Sequence, residues 1–231
     1  MIAFRDVSKN YNSHAALADI SFEISPSEFI FLVGPSGAGK STLLKLIIRD
    51  DIPSKGSIFV DGMDIATLRA HEVPHLRRKV GTVFQDFKLL PQRTVFENVS
   101  FPLEILGLDD EEIKKVVEET LSLVNMVEKG TNFPHEISGG EAQRTAIARA
   151  MVLRPEIILA DEPTGNLDLG SAWEIMQLLN KLNSLGTTIV MATHNTDITG
   201  GLTHRKIEIQ KGRLVGDSKE KGTKPKSVKK K

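Results

Sequence analysis

One short segment of the chain combines the residue types that bind phosphate. It reads Gly34-Pro35-Ser36-Gly37-Ala38-Gly39-Lys40-Ser41. Glycine lets the backbone curl so that its N–H groups point at phosphate oxygens, and a lysine at the end of such a loop reaches the β- and γ-phosphates. The Ser41 hydroxyl is then placed to bind Mg²⁺. The spacing therefore predicts a site for a nucleoside triphosphate with its magnesium ion.

The residues on either side of this loop favour the same interpretation. The apolar run Phe29–Val33 precedes it, and the helix-prone stretch Thr42–Ile48 follows it. A strand, a glycine-rich loop and a helix in this order are the context in which the pattern works, because the N-terminus of the helix adds partial positive charge.

Two adjacent carboxylates form a second candidate group. Asp161 and Glu162 follow the apolar run Ile157–Ala160, which is typical of a buried strand that ends at a ligand crevice. Asp161 can hold Mg²⁺ through water, while Glu162 can orient and deprotonate an attacking water molecule. The alternative is a pair of exposed acids at the end of a strand.

A third segment lies between these two groups. Ile137-Ser138-Gly139-Gly140-Glu141 precedes Ala142–Leu153, where apolar residues recur at helical spacing. Its glycines therefore lie at a helix start, which can bind a second anion. Ser-Gly-Gly alone is also a common loop sequence.

Taken in this order, the three segments resemble the ATP-binding cassette (ABC) family, whose signature usually reads Leu-Ser-Gly-Gly-Gln. This chain departs from that signature at Ile137 and Glu141, but it keeps the serine hydroxyl and the glycine backbone.

The resemblance implies an α/β fold: a P-loop NTPase core with a mainly parallel sheet, an N-terminal antiparallel β layer and a helical insert. It implies one domain over residues 1–216, with a helical subdomain over about 88–150. The implied activity is a Mg²⁺-dependent ATPase in which two chains enclose two ATP molecules.

The same resemblance assigns roles to four further positions. Tyr11 matches an aromatic residue that stacks on adenine, although a lone tyrosine after a strand can also be packing. Gln85 matches a glutamine that touches Mg²⁺ and reports to a membrane partner, and His194 matches a histidine that contacts the γ-phosphate. Asp168 matches a loop that contacts the second chain. The residues assigned to the nucleotide are Tyr11, Gly34, Pro35, Ser36, Gly37, Ala38, Gly39, Lys40, Ser41, Thr42, Gln85, Ser138, Gly139, Gly140, Glu141 and Asp168. Those assigned to Mg²⁺ are Ser41, Gln85 and Asp161, and the catalytic residues are Glu162 and His194.

Residues 83–99 resemble the ABC cassettes of bacterial cell division. This implies a peripheral protein at the cytoplasmic face of the inner membrane that drives an FtsX-like integral membrane protein and signals to cell-wall hydrolases. An ATPase of a lipoprotein-releasing or macrolide-efflux exporter is the first alternative, because such cassettes share most of these motifs. A soluble ABC ATPase that acts on DNA or ribosomes is the second.

Composition limits the remaining possibilities. The 231 residues include no cysteine, and no apolar run reaches the ~18 residues needed to span a bilayer. The net charge is zero, but residues 217–231 carry seven lysines against two acids. This tail is predicted to be disordered, and it either binds anionic lipid or only keeps the protein soluble. The acidic remainder and the sparse aromatics argue against nucleic acid as a partner.

Overall fold

The computed structural model describes residues 1–12, 14–195, 199–200 and 203–219. The strands are β1 (Ile2–Tyr11), β2 (His14–Ile24), β3 (Phe29–Val33), β4 (Lys55–Val60), β5 (Met63–Asp64), β6 (Val80–Phe84), β7 (Ile157–Asp161), β8 (Thr188–Thr193), β9 (Arg205–Gln210) and β10 (Arg213–Asp217). The helices are α1 (Lys40–Ile47), α2 (Val73–Lys79), α3 (Val95–Leu106), α4 (Asp110–Leu123), α5 (Gly139–Met151) and α6 (Leu169–Ser184), with short 3₁₀ turns at Val127–Lys129 and Pro134–Glu136.

These strands form two sheets. One is antiparallel, with the order β2-β1-β4-β5, and the other has six strands in the order β10-β9-β3-β8-β7-β6. In the larger sheet every neighbouring pair is parallel except β10 and β9. The predicted α/β fold, with a mainly parallel sheet and an N-terminal antiparallel layer, is confirmed.

The larger sheet is buried on both faces, which explains why its central strands are almost continuously apolar. Along β3, Ile30 and Leu32 face the core shared with the antiparallel sheet and α1. Phe29 and Phe31 face the opposite way, into the core shared with α3, α4, α5 and α6. This alternation places one hydrophobic core on each side of the sheet.

The parallel strands bring the candidate residues to one edge. Strands β3, β8, β7 and β6 are neighbours, and Val33 is paired with Thr193 while Phe84 is paired with Asp161. Their carboxyl ends therefore lie side by side. The next residues along the chain are the phosphate loop after β3, His194 after β8, Glu162 after β7 and Gln85 after β6.

The helices between β6 and β7 begin at defined caps. Thr94 and Glu97 form a capping box at the start of α3, and Asp109 caps α4 as its sequence predicts. The buried face of α4 consists of Ile113, Val117 and Leu121. Among the described residues, no helix has the length and apolar character needed to cross a membrane.

The end of the chain differs from the expectation in one respect. Asp217, which the charge pattern places in the tail, is the last residue of β10, and its carboxylate accepts hydrogen bonds from the Arg205 guanidinium. Assigning Asp217 to the tail was wrong, because its charge is paired inside the folded domain. Ser218 and Lys219 are also described, and the backbone N–H of Ser218 donates to the carbonyl oxygen of Lys206. The rest of the tail that was predicted to be disordered, residues 220–231, lies outside the described residues.

Candidate functional site

A cleft of about 930 Å³ lies at the carboxyl edge of the larger sheet. It brings together residues that are up to 183 positions apart in the sequence, between Tyr11 and His194. The predicted residues that line it are Tyr11, Ser36, Gly37, Gly39, Lys40, Ser41, Thr42, Gln85, Asp161, Glu162 and His194. Gly34, Pro35 and Ala38 belong to the same loop but do not line the cleft.

The phosphate loop needs glycine at its two ends. Gly34 has a φ of 154°, and a β-carbon there would lie 2.1 Å from the carbonyl oxygen of Ile209. Gly39 has a φ of 108°, and a β-carbon there would lie 2.9 Å from the carbonyl oxygen of Ala16. The loop is therefore packed between β9 and β2, and only glycine fits this path.

Lys40 is held inside the loop. Its side chain is only 5% exposed, and its ammonium group donates to the carbonyl oxygens of Gly34 at 2.8 Å and Pro35 at 3.2 Å. The same group lies 3.6 Å from Oε1 of Glu162. A buried cation with these partners places positive charge where the terminal phosphates of a nucleotide would lie.

Asp161 is suited to a divalent cation. Burial raises the pKa of its carboxyl group, against a hydrogen bond from the Ser41 hydroxyl. Its Oδ1 is buried, and within the described parts of the chain no hydrogen-bond partner reaches it. A buried, unpaired carboxylate oxygen beside a serine hydroxyl fits the oxygen ligands that Mg²⁺ takes beside a phosphate loop.

Glu162 and His194 form a pair at the ends of neighbouring strands. Nδ1 of His194 lies 2.8 Å from Oε1 of Glu162, and the backbone N–H of His194 donates to Oε2 at 3.3 Å. In the tautomer with a proton on Nδ1, the ring donates this hydrogen bond to the carboxylate. Glu162 adopts a left-handed φ of 49°, an uncommon conformation that is often found at functional sites.

Gln85 is fixed to the loop that follows Glu162. Its side-chain amide donates to Oδ1 of Asn166 at 3.0 Å, and the amide of Asn166 donates to the backbone oxygen of Gln85 at 3.2 Å. A β-carbon at Gly165 would lie 2.9 Å from Nε2 of Gln85, so a larger residue there would push the Gln85 side chain from this position. These contacts join the ends of β6 and β7.

Tyr11 stands at the rim of the cleft and is 41% exposed. Its hydroxyl donates to the carboxylate of Asp51, which also accepts from the Lys9 ammonium. The hydrogen bond to Asp51 is the main reason that the pKa of Tyr11 is raised, so the ring stays neutral. The Lys9 ammonium lies over the ring, 4.8 Å from its centroid, and the exposed part of the ring can stack on a base.

The signature segment lies outside this cleft. Ser138 caps α5, and its backbone N–H donates to Oε2 of Glu141 at 2.8 Å while its hydroxyl accepts from the Glu141 N–H at 3.3 Å. The Glu141 carboxylate also lies 3.5 Å from the Lys129 ammonium. The hydrogen bond from the Ser138 backbone is the largest cause of the lowered pKa of Glu141.

Asp168 likewise lies outside the cleft, where it caps α6. Its carboxylate accepts from the backbone N–H of Ser171 at 3.0 Å and from the Ser171 hydroxyl. A β-carbon at Gly140 would lie 3.2 Å from Cβ of Ser171, and one at Gly139 would lie 3.4 Å from Leu167. Thus Ser138, Gly139, Gly140, Glu141 and Asp168 form a second surface in which the signature packs against the start of α6.

Two residues support the cleft through contacts that no local sequence pattern indicates. Asp51 holds Tyr11 across 40 positions, and Asn166 holds Gln85 across 81 positions. Asn166 lies two residues before Asp168, in the loop that the resemblance assigns to contact with a second chain, but no local pattern indicates its bond to Gln85. Asp51 lies in a polar run after α1, where an acidic residue has no distinguishing local pattern.

Comparisons with known proteins agree with this geometry. A family model described as ABC transporter matches residues 17–165. The cell division ATP-binding protein FtsE of Bacillus subtilis (strain 168) is 51% identical over 218 residues, which cover 94% of this chain and 96% of that protein. The FtsE of Escherichia coli (strain K12) is 46% identical over 217 residues, covering 94% and 98%. A solved dimeric structure of the ATP-binding cassette MJ0796, in a post-hydrolysis state with ADP and Pi, has a TM-score of 0.86 at 36% identity and covers 94% of this chain and 98% of that one.

Proposed function

Because this chain belongs to the ABC transporter family and is an ATPase of that family, we propose that it hydrolyses Mg²⁺-bound ATP to drive a membrane protein in bacterial cell division. The observation that carries the catalytic part is the meeting of Lys40, Asp161 and Glu162 in one cleft. The division role is supported by the FtsE relatives, which match almost the whole of this chain and of their own length.

The chain's own residues divide the chemistry between them. Lys40 binds the β- and γ-phosphates, while Ser41, Asp161 and Gln85 would hold Mg²⁺. When bound, the metal supplies positive charge that offsets the charge of the phosphates. Glu162 accepts a proton from the attacking water, and His194 orients that carboxylate through Nδ1. Nε2 of His194 is then available to contact the γ-phosphate.

The active unit in this proposal contains two chains. Ser138 and Gly139 lie at an exposed helix N-terminus, outside the cleft formed by their own chain. A helix N-terminus with exposed N–H groups favours an anion, and the γ-phosphate of a second chain would supply one. The neighbour MJ0796 is described as a dimer, which supports the same arrangement for this chain.

The shared site is tested with Glu162→Gln, which keeps the shape of the side chain but removes the base. The variant should hydrolyse ATP negligibly and should accumulate as an ATP-bound dimer, observed by size-exclusion chromatography with light scattering. The double variant Lys40→Ala with Glu162→Gln is the control and should remain monomeric. If the single variant also remains monomeric at saturating Mg²⁺-ATP, even with its membrane partner, the two-chain site is wrong.

The partner in this proposal is an FtsX-like integral membrane protein, which places the chain peripherally at the cytoplasmic face of the inner membrane. The segment that follows Gln85 is the proposed contact region. Purification from detergent-solubilised membranes should recover such a protein with this chain. Recovery of an exporter subunit would favour a lipoprotein-releasing or macrolide-efflux system, and recovery of no membrane protein would favour a soluble ATPase.

Anionic lipid is a second proposed contact, made by the lysines of residues 220–231. Each lysine near such a surface adds about 1 kcal/mol of binding free energy. Deletion of residues 220–231 should weaken sedimentation with phosphatidylglycerol vesicles at low salt, and binding of the full chain should fall as salt rises. ATP turnover should not change. If the two proteins sediment equally with the vesicles, the tail does not bind lipid and only keeps the protein soluble.

A further inference from the structure

Arg149 joins the signature helix to the segment that leaves the nucleotide cleft. It lies near the C-terminal end of α5, and its guanidinium donates to the backbone oxygens of two successive residues. The bond to Lys88 is 2.7 Å long and the bond to Phe87 is 2.9 Å long. A planar guanidinium with two donors on adjacent carbonyl groups fixes both position and orientation.

The two residues that Arg149 holds are in an unusual conformation. Phe87 has a φ of 56° and Lys88 has a φ of 48°, and neither residue is glycine. Left-handed backbone at non-glycine residues costs conformational energy, and two in succession persist only when their surroundings hold them. The two bonds from Arg149 contribute to holding this conformation, together with the turn bonds from the backbone N–H groups of Phe87 and Lys88. Burial lowers the pKa of Arg149, but a guanidinium remains charged at neutral pH.

This segment reaches both functional surfaces of the chain. Gln85 and Lys88 line the nucleotide cleft. At the other surface the Phe87 ring lies beside the first residue of α5, because a β-carbon on Gly139 would be 3.9 Å from its Cζ. The segment therefore contacts α5 near both ends of the helix: Phe87 beside the signature and Arg149 in the last turn.

We propose that Arg149 is a positioning residue that holds residues 85–88 against the signature helix. Through this contact, nucleotide bound in the cleft of one chain orients the signature that the same chain presents to the second chain. This inference rests on the proposed two-chain site. In this proposal Arg149 does not contact ATP. Loss of Arg149 should therefore leave ATP binding by a single chain intact and should weaken the step in which two chains close.

The test compares Arg149→Ala and Arg149→Lys in the Glu162→Gln background. Arg154→Ala is the matched control, since Arg154 follows the same helix but is exposed and pairs with Glu119. ATP affinity is measured by calorimetry at protein concentrations below those that give dimers, and the dimer dissociation constant is measured by analytical ultracentrifugation at saturating Mg²⁺-ATP. Circular dichroism establishes that each variant is folded.

Arg149→Ala should bind ATP within about twofold of the parent but should dimerise at least about tenfold more weakly, since it loses two hydrogen bonds from a charged group. The dimer affinity of Arg149→Lys should lie between those of the parent and of Arg149→Ala, because an ammonium lacks the planar fork that donates to both carbonyl groups. Arg154→Ala should match the parent.

A parent that fails to dimerise would refute the two-chain proposal itself. A parent that dimerises while both Arg149 variants dimerise equally well would overturn the role of Arg149 alone. A loss of ATP affinity as large as the loss of dimerisation would also overturn it, because Arg149 would then support the cleft itself. If Arg149→Ala does not fold, the lysine variant decides by the same criteria.

Discussion

Nδ1 of His194 lies 2.8 Å from Oε1 of Glu162, while the backbone N–H of the same histidine donates to Oε2 at 3.3 Å. One residue thus contacts both carboxylate oxygens of the proposed base. The two residues follow neighbouring parallel strands, β8 and β7, so the sheet itself brings them together. The carboxylate is held in one orientation before any water molecule attacks.

His194→Ala should lower kcat by about 100-fold or more, the range associated with a positioned acid–base group. ATP affinity should change much less, because Lys40 and the loop remain. His71→Ala is the control, since His71 is exposed and lies in the turn before α2, away from the cleft. Steady-state kinetics and ATP calorimetry measure the two effects. Unchanged kcat would show that Glu162 does not depend on His194.

Lys40→Ala should abolish hydrolysis while the fold survives. The substitution removes the buried ammonium that the loop holds between its own carbonyl oxygens and Glu162. We expect a loss of at least about 100-fold in turnover, comparable to removal of an electrostatic donor at an active site. Lys114→Ala, on the exposed face of α4, should behave as the wild type. Normal turnover in purified Lys40→Ala would contradict the phosphate-loop assignment.

The ring of Tyr11 and its hydroxyl should have separable effects. Tyr11→Phe keeps the ring but loses the bond to Asp51, so ATP affinity should remain within about twofold of the wild type if stacking dominates. Tyr11→Ala should weaken binding by about 1–3 kcal/mol, the range found for stacking of a base on an aromatic residue. Calorimetry measures both. If Tyr11→Ala is less stable but binds ATP normally, the role of Tyr11 is packing and not stacking on the base.

Deletions that start on either side of Asp217 should differ in stability. Arg205 pairs with Asp217 and, at 3.0 Å, with Glu28, and all three side chains are largely buried. Removing one partner of such a network costs up to about 3–5 kcal/mol because the remaining charge is left buried. Deletion of residues 217–231 should therefore lower the free energy of unfolding in urea by a few kcal/mol. Deletion of residues 220–231 should leave it nearly unchanged.

The same ion pair should depend on pH. Hydrogen bonding from Arg205 lowers the pKa of Asp217 below its usual value. A carboxyl group with a lowered pKa in the folded state stabilises the fold above its unfolded pKa, and this contribution is lost as pH falls through the folded value. Asp217→Asn should therefore be most destabilising near neutral pH, and its difference from the wild type should shrink below about pH 4. A difference that stays constant down to pH 3 would contradict the assignment.

Local sequence determined the parts of this protein in which neighbouring residues act together. The loop from Gly34 to Ser41, the pair Asp161 and Glu162, and the caps of α4 and α5 depend on spacing along a few residues. Backbone conformation and hydrogen-bond reach act over that distance, so the residue types alone predict them. The apolar runs Phe29–Val33 and Ile157–Ala160 likewise predicted strands that end beside the candidate residues.

Contacts between residues that are far apart in the chain depend on the packing of the whole fold. Asp51 reaches Tyr11, Asn166 reaches Gln85 and Arg149 holds Phe87 because of strand order and helix packing, which no local period encodes. The same reason explains Asp217, whose charge looks like part of a lysine-rich tail until β10 pairs with β9 and brings it to Arg205. The structure also separated the signature from the cleft of its own chain. The signature packs against the start of α6, a contact between distant segments that no local pattern encodes.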